Sequence, residues 1–336
     1  MAPLLARVPP GVQTFFDDDV HRRRQTEAAI LDVFGGWSYE EIWLPAFDYL
    51  DLFSSGMGAW LPERTYKFID RDGHLLALRP DLTSLVARTV ATRFGDRRRP
   101  VRLCYSGEVF RYDAPQHGRK HDLHQLGIEL FGSADLRADL EVLLVGLEAM
   151  RAVGIDRPLV TLSHAGFHRA LLEDRPAEEG ETLLAAWRRR APGTLPDLAG
   201  TAGLARARSL TDHPAALAAV SQLEEALALA GDLGLGDALQ VDLGEVAAMA
   251  YYTGMTFRAY APGYPAEIGS GGRYDALLGA LGRPEPAVGM VLYREALLAA
   301  GRREAAASAA PALAVSGLRE ALAARSLGRR VRLADA

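Results

Sequence analysis

Hydrophobic and polar residues alternate along the chain at two spacings, and these divide it into elements. Asp18 to Phe34 carries an apolar stripe of Ala28, Ile30, Leu31 and Phe34, which predicts an amphipathic helix. Glu41–Phe47 is strand-like. Thr65–Ile69 and Leu75–Leu78 flank Asp70-Arg71-Asp72-Gly73, and the Asp-Gly pair predicts a hairpin. Leu82–Phe94 reads as a helix. Val101–Arg111 and Leu123–Phe131 read as strands joined by the polar segment Tyr112–Asp122, and Leu136–Val153 as a strong helix. Val160–Ser163 is a short strand. From about residue 165 to 235 the chain turns Ala-, Leu- and Glu-rich, with breakers at Pro192, Pro196 and Pro214, and reads as a helical insertion. Strand signals return at Leu239–Leu243, Tyr251–Tyr260 and Ala266–Gly269. A helix at Tyr274–Leu281 follows, then a strand at Val288–Leu292 running into a helix at Tyr293–Gly301. Glu304–Ala310 is a low-complexity linker. The division expected is a main unit over 1–303 and, over 304–336, the linker with one strand–helix–strand unit: Ala312–Val315, Leu318–Ser326 and Arg329–Leu333. That unit is too small to bury a core alone, so it packs on the main body or on a partner. Hairpin-linked strands interrupted by helices predict an α+β fold with a largely antiparallel sheet.

Composition narrows the function. No apolar run in the 336 residues reaches the length of a membrane span; Leu140–Val153 comes nearest and is broken by Glu141, Glu148 and Arg151. The N-terminus MAPLLARVPPGVQ has no charged region ahead of its apolar patch, so a cytoplasmic protein without a signal peptide is expected. Cys104 is the one cysteine, which excludes a disulfide framework and a multi-cysteine metal site. A net charge of −5 weighs against nucleic acid as the main partner. The arginine triplets at 22–24, 97–99 and 188–190 read as solvated faces.

Four clusters carry candidate chemistry. In Leu78-Arg79-Pro80-Asp81-Leu82-Thr83, Asp81 either caps the following helix or faces a pocket together with Thr83. In the run from Gly107 to Gly132, Arg111 ends a strand. Gln125 and Glu129 share one face of the next strand, while Ile128 and Leu130 take the other. That polar face is a pocket wall or a solvent-facing side. His117, His121 and His124 have no metal-ligand spacing and read as loop histidines, so no metal and no cofactor is expected. In Ala250–Phe257, adjacent Tyr251 and Tyr252 on a strand point to opposite faces; either one enters the core while the other offers its hydroxyl to a pocket, or both are ordinary strand aromatics. Ile268–Asp275 lacks the lysine of a phosphate-binding loop. Gly271 and Gly272 read as a pocket floor or a plain flexible turn.

Together these clusters resemble the class II histidyl-tRNA synthetase family, from roughly Pro9 to Leu298. Pro10-Gly11, Tyr39-Glu40-Glu41-Ile42 and Pro45 are similar to its N-terminal helix and motif 1, which builds a dimer interface. Leu78–Thr83 is similar to its L-R-P-E-x-T. Phe110-Arg111-Tyr112, Pro115-Gln116, Gly118-Arg119 and His124-Gln125 through Glu129 resemble motif 2 and the strand after it. Tyr251–Gly254, Gly271–Asp275 and Pro286–Gly289 complete the series in order. The resemblance implies a histidine pocket. In it Asp81, Thr83 and Gln125 accept from the α-ammonium, Arg111 faces the α-carboxylate, Glu129 and Tyr252 bond the imidazole, and Tyr251 belongs to the same histidine-binding set.

Departures from the synthetases point to a different role. Ala247 stands where the family has a catalytic Arg, and Ala296 where motif 3 ends in an ATP-holding Arg. Arg294 is no replacement, because two residues along a helix is a rotation of roughly 200°. Tyr293 fills a family Gly position and crowds a nucleotide. Losing one fixed donor alone costs about 10²–10³ in rate. Asp81 in place of Glu resembles the synthetase paralogue that serves as regulatory subunit of ATP phosphoribosyltransferase. That likeness implies a short-form catalytic subunit as partner, L-histidine as effector, and a homodimer within a hetero-octamer of four regulatory and four catalytic chains. The terminal strand–helix–strand unit stands where a synthetase carries an anticodon-binding domain, so tRNA is not expected as a partner. A histidyl-tRNA synthetase and a free-standing paralogue with another substrate are the alternatives that the sequence leaves open.

Overall fold

The computed structural model describes residue 8 and residues 11–54, 64–112, 122–247, 249–301, 313–316, 318–329 and 331–333. The helices are α1 (Asp18–Gly36), α2 (Leu50–Ser54), α3 (Thr83–Arg93), α4 (Leu136–Ala152), α5 (Ala165–Ala170), α6 (Ala177–Arg188), α7 (Gly200–Ser209), α8 (Pro214–Asp232), α9 (Leu277–Ala280), α10 (Arg294–Ala300) and α11 (Leu318–Ser326). The strands are β1 (Glu40–Glu41), β2 (Phe47–Tyr49), β3 (Lys67–Ile69), β4 (Leu75–Leu78), β5 (Val101–Phe110), β6 (Asp122–Phe131), β7 (Leu159–His164), β8 (Leu239–Val241), β9 (Met255–Tyr260), β10 (Gly269–Arg273), β11 (Ala287–Tyr293), β12 (Leu313–Val315) and β13 (Val331–Leu333).

The centre is an eight-stranded sheet in the order β1-β5-β6-β11-β10-β9-β7-β8. It is antiparallel except at its edges, where β1 runs parallel to β5 and β8 parallel to β7. A parallel edge pair needs a long crossover, and α5–α8 form the one between β7 and β8. One face of the sheet is covered by α1, α4, α8 and α10. Leu126, Ile128 and Leu130 of β6 point into that layer beside Ile30, Phe34, Leu143 and Met290. The period of two sends Gln125, Gly127 and Glu129 to the opposite face. There α3 packs through Leu85, Val86 and Val90 over Tyr105, Phe131 and Tyr274. Cys104 alternates into the helix-covered face; it is buried, and burial pushes its thiol up to about 12, as suits an inert core side chain.

Two smaller sheets stand apart. β2-β4-β3 is a three-stranded sheet in which β2 pairs with the far side of the β3–β4 hairpin, and the hairpin tip is tied by Asp70, which accepts from the backbone N–H groups of Asp72 (2.9 Å) and His74 (2.8 Å). β12 and β13 pair in parallel with α11 between them, burying Val315 and Ala324. The linker Glu304–Ala310 and the segment holding His117, His121 and Arg119 lie outside the described residues. Among the described residues no helix is long and apolar enough to cross a membrane.

Four elements differ from the sequence pattern. The strand expected over Glu41–Phe47 is broken between β1 and β2. Pro45 has no N–H to pair, and the Leu44 carbonyl is taken by the Arg79 guanidinium at 2.7 Å. The strand expected from Tyr251 begins at Met255, because the Thr253 N–H folds back onto the Arg273 carbonyl at 2.8 Å. The strand expected at Ala266–Gly269 instead starts at Gly269 and runs through the glycines to Arg273. A Cβ at Gly271 would lie 2.3 Å from the Gly289 carbonyl oxygen, so the run is a close-packed strand and not a flexible turn. The helix expected from Tyr274 is only the single turn α9, because Tyr274 turns into the core of the site.

Candidate functional site

The uncovered face of β6, β10 and β11 forms the floor of a cleft, and the start of α3 and the loop before β9 form its walls. Asp81, Thr83, Arg111, Gln125, Glu129, Tyr251, Tyr252 and Gly271 line one cavity there. Gly272 is not among its lining residues. Its backbone, at φ 152°, passes so close to Met255 and Tyr252 that a Cβ would collide with both.

Glu129 lies at the centre, 2% exposed. Its carboxylate accepts from Thr83 Oγ1 (2.8 Å), from the Tyr105 hydroxyl (3.1 Å) and from the Tyr274 hydroxyl. Burial nevertheless dominates and raises its pKa to about 7. Gly289 sits opposite it on β11, and a Cβ there would fall 1.7 Å from Glu129 Oε2. Gly127 makes equal room for Tyr105, whose ring a Cβ would meet at 2.3 Å. The sequence reading missed Tyr105, Tyr274 and Gly289. The available signal was Gly127, a glycine inside a strand, which marks a close approach.

Asp81 realises both of its alternatives. It lines the cavity, and its Oδ1 accepts from the Ser84 N–H at 3.1 Å. Burial raises its pKa against the pull of the Arg111 charge. Arg111 gives its Nε–H to the Pro80 carbonyl at 2.8 Å and makes no ion pair with another described residue. Tyr251 and Tyr252 do not take opposite faces. Set in a turn, both line the cavity, with ring centroids 4.7 Å apart. The site thus brings buried carboxylates and a guanidinium to one cavity, a set of groups that suits a zwitterion.

A second chamber adjoins the first and shares Arg111, Met249, Tyr252, Ser270, Gly271 and Tyr293 with it. Between them the Tyr293 hydroxyl bonds Ser270 Oγ at 2.6 Å, tying β11 to β10. In the second chamber Arg258 pairs with Glu245 (3.0 Å) and Glu267 (3.8 Å). Ala247 also lines it. Arg294 points to the helix-covered side, toward Glu295 (3.1 Å) and Glu27 (3.9 Å).

His124 is on β6 and not in a loop. Its Nε2 lies 2.7 Å from Ser106 Oγ, and the Glu27 carboxylate touches both groups. This is no hydrolytic triad, because the acid approaches the same nitrogen as the hydroxyl, while His124 Nδ1 is buried without a partner. The His124 imidazole 3.7 Å away and the hydrogen bond from Ser106 pull the Glu27 carboxyl down to about 2.

The fold and this cleft place the chain in a class. It belongs to the histidyl-tRNA synthetase family, whose model matches residues 11–297. Among curated relatives it is similar to the ATP phosphoribosyltransferase regulatory subunit of Moorella thermoacetica, 34% identical over 334 residues, covering 93% of this chain and 86% of that protein. The regulatory subunit of the same name from Anaeromyxobacter sp. is 36% identical over 312 residues, covering 86% of this chain and 91% of that one. A histidine–tRNA ligase subunit from Alicyclobacillus acidocaldarius superposes with a TM-score of 0.79 at 28% identity, over 89% of this chain and 98% of that one. An ATP phosphoribosyltransferase regulatory subunit/histidyl-tRNA synthetase from Bacillus halodurans shares the fold, with a TM-score of 0.86 at 24% identity, over 100% of this chain and 94% of that one.

Proposed function

We propose that the chain is a non-catalytic regulatory subunit of ATP phosphoribosyltransferase, required for the first step of histidine biosynthesis and for its feedback regulation by histidine. The observation that carries the reading is a cleft that keeps the polar ring for an amino acid and has lost the setting for nucleotide chemistry. Asp81, Gln125, Glu129 and Arg111 remain together around one cavity. Ala247 and Ala296 supply no cation, and Tyr293 stands hydrogen-bonded to Ser270 where the two chambers share residues. The names of the relatives favour the same role. On this reading histidine is the effector, a short-form catalytic subunit is the partner, and the setting is the cytoplasm. The chain dimerises within a hetero-octamer, through the motif 1 region Tyr39–Asp48. Trp43 and Phe47 in that region are 89% and 51% exposed, as an apolar contact surface requires.

The test is copurification with a short-form catalytic subunit, followed by histidine inhibition curves on the complex. Inhibition is expected in the wild type and weaker inhibition in Glu129→Gln, since a charge-assisted bond is worth roughly 1.5–3 kcal/mol. Failure to copurify, or inhibition indifferent to Glu129, counts against the reading. Histidine-dependent pyrophosphate exchange is expected at background, and a clear signal would favour a synthetase instead.

A further inference from the structure

The tyrosine loop that walls the cleft is held from outside by the helical insertion. Arg188, at the end of α6, donates its Nε–H to the Ala247 carbonyl at 3.0 Å. Arg169, on α5, donates to the Tyr252 carbonyl at 2.9 Å. The same layer grips the approach to the loop. His168 Nε2 bonds the Leu243 carbonyl at 2.6 Å, and Arg190 bridges Asp242 (2.8 Å) and Glu245 (2.5 Å). The arginine triplet at 188–190 is therefore not merely a solvated face.

Behind the loop the packing is open. A cavity of about 320 Å³ separates α5 and α6 from it, lined by Leu172, Leu184, Val246, Met249 and Tyr252. Met249 and Tyr252 line the zwitterion pocket on their other side. Beside the packing of Ala165 at the start of α5 and its N–H bond to the Gly254 carbonyl at 2.8 Å, the insertion reaches the pocket wall through these arginine contacts. Among the described residues neither Arg169 nor Arg188 pairs with a carboxylate, so the loop carbonyls are where their charge is spent.

We infer that the helical insertion sets effector affinity through Arg169 and Arg188, positioning residues that fix Ala247 and the Met249–Tyr252 turn against the pocket. The inference rests on the histidine reading above for its ligand and on the geometry alone for its mechanics. A shift of α5 and α6 relative to the sheet, such as a partner docking on the insertion would impose, moves Tyr252 and Ala247 through these two bonds and changes the pocket without the insertion touching the ligand.

The experiment uses the full chain. L-Histidine binding is measured by calorimetry, and amide hydrogen exchange is followed at residues 247–252, for the wild type, Arg188→Met, Arg169→Met and the two lysine variants. Arg175→Met is the control, because Arg175 pairs with Glu179 at 2.6 Å and leaves the loop alone. Each methionine variant is expected to weaken histidine about tenfold and to speed exchange in the loop, while lysine, which still donates to the carbonyl, recovers most of the loss. Unchanged affinity in the methionine variants overturns the inference, and so do lysine variants as weak as the methionine ones. If the wild type takes up no histidine, the functional reading fails. The loop's exchange rates then still decide the inference, and rates equal to wild type overturn it.

Discussion

A carboxylate under a sheet is tolerated only when donors meet it, and Glu129 meets three hydroxyls and no cation. Its folded pKa is raised from 4.5 to about 7. A proton is thus held more tightly in the folded chain. The stability this group lends is full below its unfolded pKa and falls as pH rises through the window from 4.5 to about 7. Glu129→Gln removes the titration. Its melting temperature, relative to wild type, is expected to climb between about pH 5 and about pH 8, by an amount that reflects a few kcal/mol. A difference that stays constant across that window would show that Glu129 does not titrate there. Much of this residue's setting was legible: alternation along Leu123–Phe131 put Gln125 and Glu129 on one face. The hydroxyls were not, because Tyr105 and Tyr274 lie 24 and 145 residues away from it along the chain and no local pattern joins them.

Among elements, the long strands and helices followed their periodicity, and β10 did not. A strand of glycines carries no hydrophobic signal, and its identity comes from neighbours that pass too close for a Cβ. The tyrosine turn was likewise hidden, since Thr253 pairs with a carbonyl contributed by β10. β10 is fastened to α4 by Arg273, which meets Asp139 at 2.5 Å, with the two side chains 10% and 3% exposed. Arg273 also donates to the Ser133 carbonyl at 2.9 Å. Arg273→Met leaves Asp139 buried without its cation, and a loss of about 3–5 kcal/mol in urea denaturation is expected. The double variant Arg273→Met with Asp139→Leu should regain a substantial part, since removing both charges abolishes the unpaired one. A double variant no more stable than the single one would mean that Arg273 matters for its backbone contacts and not for the pair.

At the scale of the whole molecule, exposed apolar side chains gather in two places, the C-terminal unit with Leu318, Leu322 and Leu327, and the three-stranded sheet with the segment before it. Phe47, Tyr49 and Ile69 are 51%, 51% and 70% exposed, close to Trp43 at 89%. Sedimentation at micromolar concentration is expected to show a dimer, and Phe47→Asp combined with Ile69→Asp to shift it toward monomer. A wild-type monomer would remove the dimer from the proposal. The order of the site clusters along the chain made the fold legible from end to end, whereas the insertion's grip on the tyrosine loop was not, because arginines that bond backbone carbonyls leave no sequence pattern. The Ser270–Tyr293 bridge bears on size as well as chemistry. Ser270 and Tyr293 line both chambers, so a molecule long enough to reach from Glu129 to Arg258 touches both residues of that 2.6 Å hydrogen bond, and a shorter one does not have to.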